Sequence, residues 1–174
     1  MLQRRVKFLW RKIFPMTKKA YILIGVPGSG KSTWVKQNHN QENTVILSTD
    51  NFIQDYADLS GKTYSEVFPD KIKWAQIEMK KDLKYAIENN LDVIHDQTNL
   101  TRKSRRMVMQ DLIKAKYDIT AVIFPIPLDL DVRLKSRPGK NIPDHVIQMM
   151  IKNFKDRDNY PTYEEGFDRW VICS

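Results

Sequence analysis

A glycine-rich segment near the start of the chain has the residue types and spacing to bind phosphate. Residues 25–32 read Gly-Val-Pro-Gly-Ser-Gly-Lys-Ser and match the pattern G-x-x-x-x-G-K-[ST] in full. In such a loop the glycines let backbone N–H groups turn inward around a triphosphate, and the dipole of the following helix adds to their attraction. The lysine reaches the β- and γ-phosphates, and the final hydroxyl can ligate Mg²⁺. The pattern predicts a nucleotide site made of Gly28, Ser29, Gly30, Lys31, Ser32 and Thr33, with Ser32 as the metal ligand.

Two acidic residues stand where a phosphotransferase needs them, directly after predicted strands. Asp50 follows the apolar run 44–49, and Asp96 follows the run 91–95. A kinase that uses an alcohol acceptor needs a group that orients the hydroxyl and accepts its proton. We expect Asp50 to be this general base and to contact the substrate, and Asp96 to be an outer-shell metal or acceptor contact. The alternative for Asp50 is a purely structural N-cap of the next helix.

A polar and basic segment follows Asp96. Thr98 and Asn99 have side chains that can fix an acceptor, and Thr101 can cap a helix that starts with several cations. Cations in the first turn oppose the helix dipole, so their placement favours a ligand. The alternative is a solvated basic helix face. We expect contacts with substrate phosphates from the cations of this first turn, which are Arg102, Lys103, Arg105 and Arg106.

A second cationic cluster lies between two predicted helices, over residues 133–143. The first helix ends at a Pro-Gly break, and the next begins near Pro143. A loop of this composition suits a lid that closes on ATP, in which Arg137 stabilises the charge on the transferring phosphoryl group and Arg133 assists. The alternative is an ordinary turn.

Alternating strand and helix patterns surround these residues. Such alternation predicts an α/β fold with a parallel sheet of about five strands and helices on both of its faces. In this kind of sheet, ligands collect beyond the carboxyl ends of the strands. The predicted strands are 20–25, 44–49, 91–96, 118–125 and 168–173. The predicted helices are 30–38, 64–89, 101–116, 128–136 and 143–155.

The positive charge of the chain is concentrated at its start. The formal net charge is +8, but residues 1–19 hold seven cations and no acid, which leaves 22 basic and 21 acidic residues in the rest. We therefore predict a basic amphipathic extension over 1–19 and a kinase domain over 20–174. Leu2, Val6, Leu9, Trp10 and Ile13 share one helical face, so residues 1–14 could contact a membrane surface or nucleic acid, or could simply pack on the domain.

Cysteine content and hydropathy favour a cytoplasmic location. Cys173 is the single cysteine, so no internal disulfide can form, as suits a reducing compartment. No apolar run approaches the length of about 18 residues that a membrane span needs. We expect a cytoplasmic protein, or one of the host cytoplasm if a phage encodes it, with no obligate protein partner.

Taken together, these motifs resemble the kinase domain of the polynucleotide 5′-hydroxyl kinase family, including its phage members. The matching segments are residues 25–34, Ser48-Thr49-Asp50, residues 96–100 with the arginine pair 105–106, and Arg137 ahead of Ile142-Pro143. They occur in the family's order. One departure is Ile53, where phage relatives carry an arginine that grips the acceptor's phosphate.

The resemblance implies an adenylate-kinase-like P-loop fold with a lid, and a role in nucleic acid repair. It implies transfer of the γ-phosphate of ATP, with Mg²⁺, to the 5′-hydroxyl end of DNA or RNA. It casts Lys31 and Ser32 as phosphate and metal groups, Asp50 as general base and Arg137 as the lid arginine. Three alternatives stay open from the residues: a kinase for a nucleoside or sugar, a nucleotide-driven switch or motor, and an adaptor built around residues 1–14.

Overall fold

The computed structural model describes residues 17–39 and 42–173. Its centre is a five-stranded sheet in which every neighbouring pair of strands is parallel. The strands are β1 (Lys19–Ile24), β2 (Thr44–Leu47), β3 (Asp92–His95), β4 (Asp118–Ile123) and β5 (Arg169–Ile172). Their order across the sheet is β2-β3-β1-β4-β5. The predicted P-loop kinase fold with a parallel sheet is confirmed.

Six α-helices connect the strands. They are α1 (Lys31–Asn38), α2 (Thr49–Ser60), α3 (Tyr64–Glu88), α4 (Arg102–Lys114), α5 (Leu130–Lys135) and α6 (Asp144–Lys155). Two short 3₁₀ turns, Arg157–Asn159 and Tyr163–Glu165, precede β5. Five of the helices were predicted within a few residues of these bounds.

Helix α2 was not predicted, and the predicted strand before it was two residues too long. Ser48 caps this helix, because its Oγ accepts a hydrogen bond from Asn51 N at 3.4 Å. Gly61 ends it in the left-handed conformation with φ 64°. The segment carries three aspartates, which have modest helix propensity, and only Ile53 and Ala57 give it a fully buried apolar stripe in its interior. These features hid the helix from the sequence pattern.

The two faces of the sheet are covered differently. On one face Leu23, Ile94 and Val122 pack with Val35 of α1. On the other face Ile22, Val93 and Ile119 pack with Leu83 of α3, with Leu112 of α4 and with further apolar side chains. Strands buried on both sides must be apolar throughout, which is why their sequences are continuous apolar runs. Helices therefore lie on both faces, as predicted.

The strand order brings three loops together at one edge of the sheet. The phosphate-binding loop follows β1, Asp50 follows β2 and Asp96 follows β3, and β3 lies between the other two strands. Because the strands are parallel, their carboxyl ends meet on the same side, where ligands bind in this class of sheet.

The predicted basic extension falls almost wholly outside the described residues. Among helices within 17–39 and 42–173, none is long and apolar enough to cross a membrane.

Candidate active site

The phosphate-binding loop is shaped by close packing at one end and a left-handed turn at the other. A Cβ on Gly25 would lie 2.6 Å from Ser29 Oγ and 2.9 Å from Phe124 Cβ, so only glycine fits there. Gly30 caps α1 with φ 101°, a conformation that other residues adopt at a cost. The loop is further fixed by Gly25 N, which donates to Thr98 O at 3.1 Å. The backbone thus forms the turn that the sequence pattern predicted.

Among the described helices, α1 alone begins with neither a side-chain cap nor an acid in its first turn. Ser48, Thr63 and Thr101 each cap a helix through a side-chain oxygen, whereas Gly30 supplies none and the first turn of α1 has no acid. The first-turn N–H groups of a helix have no intrahelical acceptor, so they attract an anion. Ser29 Oγ is also buried without a hydrogen-bond partner in the described protein. This loop therefore fits a phosphate group.

Lys31 points back into the loop. Its Nζ donates to Gly25 O and to Val26 O, both at 2.9 Å, and its side chain is buried. Desolvation lowers the pKa of Lys31 to about 8, although nearby Asp96 opposes the shift. Both acceptors of the Lys31 ammonium are neutral carbonyls. The negative charge of a bound triphosphate would therefore compensate its positive charge.

Asp50 lies in the first turn of α2, because Ser48 rather than Asp50 is the N-cap. The structural alternative for Asp50 is therefore wrong. Its two carboxylate oxygens have different partners: Tyr64 OH donates to Oδ1 at 2.7 Å, and Lys140 Nζ forms an ion pair with Oδ2. The carboxylate remains half-exposed, so a substrate can reach it.

Electrostatics couple Asp50 to its neighbours. Partial desolvation disfavours its charge, but the ammonium of Lys140, the Tyr64 hydroxyl and the Arg137 guanidinium together hold the pKa of Asp50 below its ordinary value. Burial raises the pKa of Asp96, with Lys31 opposing and Asp50 reinforcing the shift. One carboxylate that stays ionised and a second that is more easily protonated therefore face the same lysine.

Asn99 does not meet the expectation that its side chain fixes an acceptor. It is buried in the left-handed conformation with φ 51°. Its Nδ2 donates to Leu23 O at 2.7 Å, His95 O at 3.3 Å and Gln97 O at 3.4 Å. The amide thus joins the ends of β1 and β3, and the substrate-binding prediction for Asn99 is wrong. Thr98 acts on the loop through its carbonyl, and its predicted acceptor contact stays a prediction.

Arg105 is likewise structural. Its side chain is completely buried, and it binds Glu165 with Nε to Oε2 at 2.9 Å and Nη2 to Oε1 at 2.8 Å. It also donates to Asn99 O and Asn159 O. Four of its five N–H groups bond within the protein and the side chain is completely buried, so a substrate phosphate cannot reach it, which contradicts that expectation for this residue. Arg102 and Arg106 remain exposed, with Arg102 Nε 3.8 Å from Glu165 Oε1, so they stay available.

The predicted lid segment approaches the loop from α5. Leu130 and Leu134 lie where a Cβ on Gly28 would contact them, at 3.2 and 3.5 Å. Arg133 is held on the surface by Asp129, with Nε 2.8 Å from Oδ1. Arg137 acts electrostatically on Lys31, Asp50 and Asp96 together. The structure therefore places Arg137 at the site and Arg133 beside the loop.

Two site residues were missed by sequence reasoning, Tyr64 and Lys140. Tyr64 sits in the first turn of α3 and carries no motif, and Lys140 was one cation among several in its loop. Only the packing of α3 and the 136–143 segment on Asp50 reveals them.

Ser32 is exposed on the first turn of α1, where it can offer its hydroxyl to a cation beside bound phosphates. Within 17–39 and 42–173, no group of three or more His, Cys, Asp or Glu side chains is arranged to hold a metal ion.

Comparison with known proteins places this site in a family. Residues 21–156 match the family model described as an AAA domain. The chain is 30% identical over 139 residues to the L-seryl-tRNA(Sec) kinase of Methanococcus maripaludis, a match that covers 76% of this chain and 51% of that protein. The chain thus spans about half the length of this curated relative.

One solved structure shares the fold. This structure, from the PezAT chromosomal toxin–antitoxin system of Streptococcus pneumoniae, superposes with a TM-score of 0.64 at 22% identity, over 90% of this chain and 67% of that one. A chain of the Pnkp1/Rnl/Hen1 complex superposes with a TM-score of 0.49 at 23% identity, over 73% of this chain and 41% of that one.

Proposed function

The chain belongs to the AAA-domain family, and on that premise we propose that it is a kinase that transfers the γ-phosphate of ATP to the 5′-hydroxyl end of DNA or RNA. The observation that carries the proposal is the placement of a half-exposed carboxylate, Asp50, at the same sheet edge as the phosphate-binding loop, with Arg137 acting on both. A loop alone indicates nucleotide binding. A base beside it indicates an acceptor hydroxyl.

ATP is the phosphoryl donor that this arrangement suits. Three groups at the loop can each interact with a negatively charged phosphate. They are the uncapped start of α1, the unpaired hydroxyl of Ser29 and the buried ammonium of Lys31. Mg²⁺, with Ser32 as its protein ligand, would spread the charge of the β- and γ-phosphates. We assign the nucleotide to Gly28, Ser29, Gly30, Lys31, Ser32 and Thr33, with Arg133 and Arg137 on its open side.

The transfer step follows from the residues. Asp50 accepts the proton of the acceptor hydroxyl as its oxygen bonds to the γ-phosphorus, and the bond from that phosphorus to the β–γ bridging oxygen breaks to release ADP. Lys31 and Arg137 stabilise the negative charge on the transferring group. Asp96, whose pKa is raised by burial, follows β3 at the same sheet edge and would contact the outer shell of the metal or the acceptor.

The acceptor is proposed from local charge. Arg102 and Arg106 are exposed at the start of α4, at the edge of the sheet where Asp50 lies, and can meet the phosphates of a polynucleotide. Ile53 is completely buried in the packing of α2 on α3, so it makes no acceptor contact and these arginines would have to supply the grip.

A second acceptor class is a hydroxyl other than a polynucleotide end. The relative from Methanococcus maripaludis is named for seryl-tRNA, in which an amino-acid hydroxyl is carried on RNA. A nucleoside or sugar hydroxyl would use the same base and loop. These acceptors share a hydroxyl with the 5′ end of a polynucleotide and differ from it in the chemical groups that surround that hydroxyl.

One screen separates them. The protein is incubated with γ-labelled ATP and, in parallel, 5′-OH DNA, 5′-OH RNA, seryl-tRNA, uncharged tRNA, nucleosides and sugars. We expect label on 5′-OH oligonucleotides, with a rate that falls as salt rises because phosphate contacts release counterions. Label on seryl-tRNA, a nucleoside or a sugar, with none on a 5′-OH end, would overturn the proposed acceptor.

Two variants test the base. Asp50→Ala should keep ATP binding and lose about 10²–10⁴-fold in transfer, because general-base catalysis contributes that much. Asp55→Ala, an exposed carboxylate on the same helix, is the matched control and should behave as wild type. Undiminished transfer by Asp50→Ala would remove this residue from the mechanism.

A further inference from the structure

The segment 136–143 is docked on the first turn of α3 by main-chain contacts. Ser65 N donates to Gly139 O at 3.0 Å, and Asn141 N donates to Ser65 Oγ at 2.9 Å. A Cβ on Gly139 would lie 3.2 Å from Thr63 Cβ, so the two backbones are in close contact. Lys140 stands between the two hydrogen-bonded residues of the segment, and its direction is set by this docking.

Lys140 and Tyr64 then reach the same carboxylate from different elements. Lys140 Nζ pairs with Asp50 Oδ2 and lies 4.0 Å from the centroid of the Tyr64 ring, while Tyr64 OH donates to Asp50 Oδ1 at 2.7 Å. The Lys140 side chain is 17% exposed and Tyr64 is buried, so neither contact is a loose surface pairing. Each carboxylate oxygen has one fixed donor.

Resting on the kinase function proposed above, we propose that Tyr64 and Lys140 are positioning residues for Asp50, so that the base is fully oriented only when the 136–143 segment is docked on α3. Tyr64 belongs to a helix of the domain body and sets the plane of the carboxylate. Lys140 belongs to the segment that also carries Arg137. One docking event therefore brings the phosphoryl-facing arginine and the base-orienting lysine into place together.

The contacts leave room for the acceptor. A carboxylate has about four lone-pair sites, and Tyr64 and Lys140 each use one. The acceptor O–H can donate to a remaining site of Asp50, which takes its proton as the new oxygen–phosphorus bond forms and ADP departs. Lys140 keeps its own proton throughout, so its effect is orientation and charge balance.

Charge around Asp50 comes from every side. Lys140 and Arg137 face it from the docked segment, Tyr64 from α3, Lys31 from the phosphate-binding loop and Asp96 from the end of β3. Desolvation disfavours the ionised form of Asp50. Among the groups that favour the ionised form, Lys140 contributes most. Removing Lys140 would raise the pKa of Asp50. Because the base acts in its ionised form, the acidic limb of the rate profile should then move to higher pH.

The test compares Lys140→Met with Lys140→Arg and with Lys135→Met, an exposed lysine at the end of α5 that serves as the control. We measure kcat and kcat/KM from pH 5 to 9 with the acceptor found in the screen. Lys140→Met should lower kcat at neutral pH by about ten- to a hundredfold, since a misplaced catalytic group costs up to that much. Its acidic limb should lie at higher pH, Lys140→Arg should restore most of the rate, and Lys135→Met should match wild type.

Tyr64→Phe tests the second donor, with exposed Tyr85→Phe as control. Tyr64→Phe should lower kcat more than it changes the KM for ATP, and Tyr85→Phe should change neither. A Lys140→Met enzyme with wild-type kcat and an unmoved acidic limb would overturn the proposal, as would a faster one.

A readout without turnover separates this proposal from the kinase function. The carboxyl carbon of Asp50 is followed by ¹³C NMR during a pH titration of wild type and of the Lys140 variants. The pKa of Asp50 should be higher in Lys140→Met than in wild type and Lys140→Arg. Equal pKa values would overturn the pairing even if the enzyme is active. If wild type labels no acceptor but the titration shows the difference, the kinase proposal fails while the pairing holds.

Discussion

Two clusters of cations, both expected at first to meet phosphates, have different fates in this protein. The cluster on α4 surrounds Arg105, which is completely buried and paired with Glu165. The cluster at the loop and the 136–143 segment consists of Lys31, Arg137 and Lys140, which face the acids Asp50 and Asp96 at the sheet edge. The buried member of the first cluster, Arg105, stabilises the fold, and the second cluster defines the candidate site.

The difference depends on where the counter-charge comes from. Glu165 lies 60 residues after Arg105 and returns to it through the turn that precedes β5. Since a buried guanidinium needs several acceptors, Glu165, Asn99 O and Asn159 O together accept from four of its five N–H groups. At the loop, no such partner satisfies Lys31, whose own acceptors are two neutral carbonyls. An incompletely compensated cation therefore marks the ligand site.

The largest expected effect that separates the clusters is on catalysis. Arg137→Ala should lower kcat by about 10³-fold with little change in melting temperature, because an arginine that stabilises transferring phosphate acts mostly on the transition state. Steady-state kinetics and thermal unfolding on the same preparation measure both. Lys135→Ala is the control. An effect confined to the KM of the acceptor would assign Arg137 to substrate binding instead.

The next effect is on stability and concerns the other cluster. Arg105→Met should cost about 3–5 kcal/mol of unfolding free energy, because it leaves the largely buried Glu165 carboxylate with only the long pairing to Arg102 and removes the donor to Asn99 O and Asn159 O. The neighbouring exposed Arg106→Met should leave stability within about 0.5 kcal/mol of wild type. Denaturant unfolding compares them. Equal stabilities would show that Arg105 is not the structural cation that its contacts indicate.

The loop should also give a pH effect of its own, on the alkaline side. The pKa of Lys31, lowered to about 8, means that its charge is lost as the pH rises above that value. We expect kcat/KM for ATP to fall about tenfold per pH unit there, since a neutral amine attracts phosphate weakly. In Lys31→Arg this alkaline limb should be absent, because a guanidinium stays charged. A limb that persists in Lys31→Arg would point to another group.

The smallest effect concerns the exposed arginines of α4. Arg106→Gln should raise the KM of a polynucleotide acceptor a few-fold, leave kcat unchanged and reduce the salt slope of log KM by about one. Arg102→Gln should behave similarly, since its pairing with Glu165 is long and partly exposed. Lys114→Gln, at the far end of α4, is the control. An unchanged salt slope in both arginine variants would remove this helix from the acceptor site.

Much of the fold and part of the site could be predicted because their signals are local. A buried parallel strand must be apolar, and a phosphate-binding turn needs glycines beside a lysine, so β1 and its loop were evident. Helix α2 was missed because its caps are single residues and its buried stripe is short. The role of Asn99 was mistaken because its amide bonds carbonyls from β1, 76 residues earlier in sequence at Leu23.

The sequence by itself determined that the chain forms a parallel α/β sheet with a phosphate-binding loop and that Asp50 follows its second strand. These features follow from periodicity and from backbone conformations that few residues adopt. Only the tertiary structure decided which cations serve the fold and which serve the site. In the sequence, Arg105 and Lys140 are simply two cations. In the structure each pairs with an acid that is distant in sequence: Arg105 is buried in an ion pair with Glu165, whereas Lys140 pairs with Asp50 beside the loop.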